Sequence, residues 1–164
     1  TVNTYTFSLR MITLMAWIIL AATVPAQGRN WMVCNTSCYR FAEHEEYWYS
    51  AMEYCTTRGW LPLKIDDQIE FSYIQHQLRE HYDIYDPTVI EFWIGAFYNS
   101  SQGQWTWYPS HEVMQFKMWA PGEPNAPDDC VGLLKHDNFL MNGDKCSKAT
   151  YFICEEQNGG QIIG

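Results

Sequence analysis

Apolar and polar positions follow two rhythms along this 164-residue chain. From Glu43 to Thr57 there is no Gly or Pro. Trp48, Met52 and Cys55 recur there at i, i+4 and i+7, with Ala51 beside them. That spacing lines one face of a helix, and Gly59 supplies a stop signal. Asp66 and Asp67 can cap a second helix running to about Leu78, with Ile69, Tyr73, Ile74 and Leu78 as its apolar stripe. Trp31 to Phe41 reads as one strand carrying two cysteines, and Leu61 to Ile65 as a short one. Beyond residue 90 the rhythm changes. Short aromatic-rich segments (Phe92 to Phe97, Gln104 to Tyr108, Val131 to Leu134, Thr150 to Cys154) alternate with Gly, Pro, Asn and Asp, as strands joined by loops do. Trp119 to Cys130, rich in Pro and carboxylates, favours neither helix nor strand. With no repeat and no linker, residues 27–156 are expected to form one α+β domain, followed by a loose tail at 157–164.

Composition narrows the classes. Aromatic residues make up 16% of the chain, enough apolar surface to offset the entropy of ordering. A net charge of −9 argues against binding a nucleic-acid backbone, which needs a Lys/Arg surplus. An apolar run from Met11 to Ala26 follows Arg10, and Val24 and Ala26 put small residues at −3 and −1 before Gln27. Residues 1–26 thus read as a secretory signal peptide, and because the chain opens on Thr1, residues 1–10 can be a non-native leader. The rival is a membrane anchor. The run falls short of the ~20 residues that span a bilayer, and Pro25 ends it, so no stable membrane insertion is expected. All six cysteines (Cys34, Cys38, Cys55, Cys130, Cys146, Cys154) follow this segment, which favours disulfides over zinc ligation, since no pair of C-x2-C clusters occurs. Asn35-Thr36-Ser37 and Asn99-Ser100-Ser101 are N-glycosylation sequons, in keeping with export.

Catalytic signatures are lacking. His44-Glu45 and His111-Glu112 have Trp48 and Gln115, not a second His, four residues after the first. There is no nucleophile elbow, P-loop or dinucleotide-binding glycine motif. His76, His81 and His136 read as surface residues, and no enzyme activity is expected.

Several short motifs stand in a telling order. They are Cys38-Tyr39-Arg40-Phe41, Ala51-Met52-Glu53-Tyr54-Cys55, Trp93-Ile94-Gly95-Ala96 and Gly103-Gln104-Trp105-Thr106-Trp107. Then come Trp119-Ala120-Pro121-Gly122-Glu123-Pro124-Asn125, Asp129-Cys130, Cys146 and Phe152-Ile153-Cys154-Glu155. In that order the chain resembles a C-type lectin-like domain over roughly Cys34 to Glu155. The resemblance implies a disulfide-stapled fold with Cys55–Cys154 and Cys130–Cys146 bridges. Cys34 and Cys38 fall where the family's long form has an extra bridge. A local Cys34–Cys38 disulfide is expected, with an intermolecular bond through Cys34 as the alternative.

The resemblance also implies a function. Glu123-Pro124-Asn125 looks like the family's sugar motif, in which a usually cis proline turns both side chains to one Ca2+. Calcium takes six to eight oxygen ligands, and sugar hydroxyls replace its water. Glu accepts hydrogen bonds from those hydroxyls and Asn donates them. The Glu-then-Asn order is similar to that of members preferring mannose-type sugars. Carried over position by position, the metal set is Glu123, Asn125, Asp128, Asn142 and the Gly143 carbonyl. The sugar set is Glu123, Asn125, Asp128 and Asn142.

Departures weaken that set. Asp128 stands where the family usually has Glu. The family's Trp-Asn-Asp motif is here Met141-Asn142-Gly143, one carboxylate short, and Asp144 can substitute only if the strand end bulges. An auxiliary calcium site is not expected, because its acidic positions map onto Tyr98, Gln102 and Ala126, with only Asp129 retained. Trp93, Trp105 and Trp107 are expected in the core. Tyr108, Phe116, Phe139 and Met141 are expected nearer the loop face. The reading is therefore a secreted calcium-dependent lectin for mannose-type glycans, in the innate recognition of microbes by family inference, with oligomers possible through Cys34. The alternative is a calcium-independent protein-binding module on the same loop face.

Overall fold

The computed structural model describes residues 31–35, 37–82, 88, 90–125 and 130–156. The expected signal segment, the tail, Asp128, Asp129 and Ala126 lie outside them. The strands are β1 (Trp31–Cys34), β2 (Cys38–Phe41), β3 (Glu46–Tyr47), β4 (Trp60–Pro62), β5 (Glu91–Asn99), β6 (Gln104–Trp107), β7 (Cys130–Leu134), β8 (Leu140–Asp144) and β9 (Ala149–Glu156). The helices are α1 (Trp48–Thr57) and α2 (Gln68–His81). The main sheet runs β1-β2-β9-β5-β7-β8, with β3 and β4 on β9 and β6 on β5. Its pairings are antiparallel except for the parallel β5–β9 contact.

Strand β5 is buried on both faces, which explains its unbroken apolar run. Phe92, Ile94 and Ala96 join Phe71, Ile74 and Leu78 of α2 in one core. Trp93 joins Trp48, Met52 and Cys55 of α1, with Phe152 and Cys154, in a second. The two helices therefore cover opposite faces of the sheet.

Three sequence expectations are corrected. Trp31 to Phe41 is not one strand but a hairpin, because the Cys34–Cys38 disulfide ties the last residue of β1 to the first of β2. The first helix begins at Trp48, not Glu43, because Glu46 and Tyr47 pair with Thr150 and Ala149. The stripe of α2 is Phe71, Ile74, Gln75 and Leu78; Ile69 is 80% exposed and Tyr73 half-buried. Gln75 is tolerated inside because its Nε2 donates to the Asn138 carbonyl at 2.7 Å. The cap on α2 is as expected, with Asp67 Oδ1 accepting from the Ile69 and Glu70 N–H groups at 2.8 and 2.9 Å.

Cys55–Cys154 and Cys130–Cys146 are the remaining disulfides. Among the described residues no helix is long and apolar enough to cross a membrane.

Candidate functional site

The site is built on the outer edge of β8. A parallel stretch of chain runs along that edge. Met141 N–H donates to the Met118 carbonyl at 2.8 Å, and Ala120 N–H donates to the Met141 carbonyl at 2.7 Å. The chain then turns at Pro121-Gly122, where Gly122 takes φ +90°, a conformation that favours glycine. The turn closes with Glu123 N–H donating to the Ala120 carbonyl at 3.0 Å. Beyond it a side chain continues the ladder, as Gly143 N–H donates to Glu123 Oε2 at 3.2 Å. The same carboxylate accepts from Asn125 N–H at 3.2 Å and, through Oε1, from Asn125 Nδ2 at 2.6 Å. The Glu123–Pro124 peptide is cis, and the two flanking side chains meet. Glu123 is half-buried, whereas Pro124 and Asn125 are exposed.

Gly143 also presents its carbonyl to this edge, since N–H and C=O of one antiparallel residue point the same way. Asn142 and Asp144 project to the sheet face that α1 covers. Asn142 Nδ2 donates to Glu91 Oε1 at 3.0 Å. Lys148 Nζ lies 2.7 Å from Glu91 Oε2 and 2.6 Å from Asp144 Oδ2. Asp144 Oδ1 accepts from Lys145 N–H at 2.7 Å. Burial pushes the Glu91 carboxyl up, against the Lys148 and Asn142 hydrogen bonds that lower it. Burial works against the Lys148 charge too, but Asp144 and Glu91 outweigh it and hold its pKa above the usual value.

A complete calcium cage does not fit these residues. Of the expected ligand oxygens among the described residues, Glu123 has beside it the Asn125 amide and, on the same edge of β8, the Gly143 carbonyl. The side chains of Asn142 and Asp144 are committed elsewhere. The β7–β8 register is unbroken through Cys130–Asp144, so no bulge turns Asp144 toward Glu123. Among the described residues no three His, Cys, Asp or Glu gather as a metal would require. Asp128 lies outside them.

The aromatic expectations divide. Trp93, Trp105 and Trp107 are buried. Of the four expected nearer the loop face, Phe139 and Met141 are fully buried, while Tyr108 and Phe116 are half-buried. His76, His81 and His136 are exposed. Tyr98 packs on Trp105 at 5.4 Å, and Gln102 sits in the β5–β6 turn. Asn35 is exposed at the hairpin tip. Asn99 Oδ1 accepts from Ser101 Oγ at 2.6 Å. Sequence reasoning missed Glu91 and Lys148, because one acid inside an apolar strand and one lysine after a cysteine carry no local pattern.

Residues 44–156 match the family described as Lectin C-type domain. C-type lectin 16 of Aedes aegypti is 27% identical over 129 residues, which cover 74% of this chain and 83% of that protein. Salivary C-type lectin 2 of Aedes albopictus is 25% identical over 138 residues, covering 77% and 91%. Among solved structures, an SPL-1–GlcNAc complex superposes with a TM-score of 0.70 at 20% identity, covering 84% of this chain and 99% of that one. The Ca2+-independent C-type lectin SPL-2 of Saxidomus purpuratus superposes with a TM-score of 0.69 at 21% identity, covering 80% and 94%.

Proposed function

The chain belongs to the C-type lectin domain family, and on that premise we propose that it binds mannose-type glycans at the β8 edge. The observation that carries this reading is the Glu123 carboxylate held between Asn125 and Gly143 N–H on an exposed loop. It sets a hydrogen-bond acceptor beside an amide donor, the pairing that two adjacent equatorial sugar hydroxyls need. Calcium dependence would rest on the ligand set without Asn142, namely Glu123, Asn125, Asp128 and the Gly143 carbonyl. With so few charged ligands such an ion would be held weakly. A single shallow site is also weak, so useful avidity needs clustering, for which association of copies is the available route. Export through the 1–26 segment, glycans on Asn35 and Asn99, and recognition of microbial glycans belong to the same proposal.

The test is passage over mannose and galactose resins with calcium, then elution with chelator. Retention on mannose is expected, and retention on neither resin refutes sugar binding. Glu123→Gln with Asn125→Asp exchanges donor and acceptor and is expected to shift retention toward galactose. The commitment of Asn142 and Asp144 to Lys148 and Glu91 favours a second reading, a calcium-independent module for a protein ligand on this face. Its signature is failure on both resins with the fold intact.

A further inference from the structure

We infer that Lys148 is a resident cation of the binding edge, which fixes β8 without a metal ion. This inference deepens the lectin reading and rests on it for its meaning, though not for its test. Three observations carry it.

The first is the arrangement of oxygens around one ammonium. Lys148 Nζ bridges Glu91 Oε2 and Asp144 Oδ2, and the other oxygen of Glu91 takes the Asn142 amide. Two carboxylate oxygens converging on one point are donors of the kind a hard cation takes. Here an amino-acid side chain supplies the charge.

The second is that the seat is built from several directions. Glu91 is fully buried, and the Thr150 hydroxyl donates to its carbonyl at 2.6 Å. Its side chain lies flat on Gly132, where a Cβ would overlap Cγ, Cδ and Oε1. The Lys148 backbone is held as well, its carbonyl accepting from Trp93 Nε1 at 3.3 Å and its N–H donating to the Lys145 carbonyl at 2.8 Å.

The third is position. Asn142 and Asp144 flank Gly143, whose N–H reaches Glu123 at the outer edge of β8. Pinning both neighbours fixes the main chain between them. The network therefore orients the strand that anchors the Glu123 loop. It also keeps the Asn142 and Asp144 side chains from meeting an ion at Glu123. Lys148 acts through β8 and touches no ligand, so it is a positioning residue.

The test is thermal unfolding with and without calcium in a Glu123→Gln background, which removes the carboxylate at the centre of the loop site. The parent is expected to unfold at the same temperature in calcium and in chelator. Lys148→Met leaves Glu91 and Asp144 without their cation. It is expected to lose stability in chelator and to regain at least about 5 °C in Tm with calcium well above its Kd. Lys148→Arg, which keeps the charge, is expected to behave as the parent. Glu91→Gln with Lys148→Met removes the buried carboxylate together with its cation and is expected to fold without a calcium response. If Lys148→Met does not fold in chelator, refolding yield against calcium concentration gives the same reading. The inference is overturned if calcium stabilises the parent as much as Lys148→Met, or if calcium restores nothing to Lys148→Met. Neither outcome depends on sugar retention, so failure on the resins and failure here are separate results.

Discussion

Gly132→Ala is the most searching perturbation of the buried network. In an ordinary strand this change is mildly favourable, by about 0.4–1 kcal/mol, because it lowers the entropy of the unfolded chain. Here the new methyl group would stand inside Glu91, overlapping its Cγ, Cδ and Oε1. Glu91 is fully buried. It would have to leave Lys148 and Asn142, its partners at 2.7 and 3.0 Å. Glu91 is buried but Lys148 is partly exposed, so parting them should cost about 2–4 kcal/mol, at or below the low end for a fully buried pair and still a large share of the about 5–15 kcal/mol that holds a domain together. Urea unfolding followed by circular dichroism would read that loss. Thermal unfolding would show a fall in Tm of roughly 10–20 °C. Glu91→Ala clears the space, so the double variant should cost less than the sum of its parts by at least about 1 kcal/mol. A Gly132→Ala protein within about 1 kcal/mol of the parent, or two costs that simply add, would refute this account.

Glu155 offers a pH test. Burial, reinforced by the charge of Glu70, lifts its carboxyl to about 7, against hydrogen bonds from Ser37 and the Lys64 N–H. A carboxyl raised in the fold contributes stability that is full below its unfolded pKa of about 4.3 and is lost as pH rises through about 7. Glu155→Gln should therefore gain about 1–3 kcal/mol over the parent at pH 8, discounted for partial exposure, and little at pH 4. Parallel pH profiles would exclude this origin. The disulfides should rank by the loops they close. Cys55→Ala with Cys154→Ala, 99 positions apart, should cost about 4–5 kcal/mol, and Cys34→Ala with Cys38→Ala, 4 apart, about 2. Denaturant midpoints in the reverse order would contradict that ranking. Trp48→Phe removes the buried indole N–H that donates to the Ile94 carbonyl at 2.8 Å. It should cost about 1–3 kcal/mol in urea unfolding, and a loss under about 0.5 kcal/mol would count against it.

The legible parts of the fold were those with a local cause. The spacing of Trp48, Ala51, Met52 and Cys55 needs only the helical repeat, and Asp67 caps α2 with its own side chain. The errors came from distant partners. Glu46 and Tyr47 left the helix because Thr150 and Ala149, far along the chain, claimed their backbone. Ile69 faces solvent while Phe71, two positions on, enters the core. The Glu-Pro-Asn loop was readable as a motif and sits where a ligand can reach it. The directions of Asn142 and Asp144 were not readable. They depend on which face β8 turns toward Glu91, and that is set by pairing with β7 across the Val131–Gly143 and Gly132–Asn142 register.

The Cys55–Cys154 bridge has a mechanical consequence. Tension applied at residues 31 and 156 passes from the hairpin through β2 and α1, crosses the bridge and leaves along the last residues of β9. Everything from Thr56 to Ile153 is bypassed, including Glu123, Asn125 and Gly143. Cys34–Cys38 shortens the loaded path further. At ~3.4 Å per residue the oxidised chain can be drawn out to a length of roughly 80–90 Å, against more than about 400 Å once reduced. A copy tugged between two surfaces would thus carry the load in covalent bonds while its recognition edge stays slack.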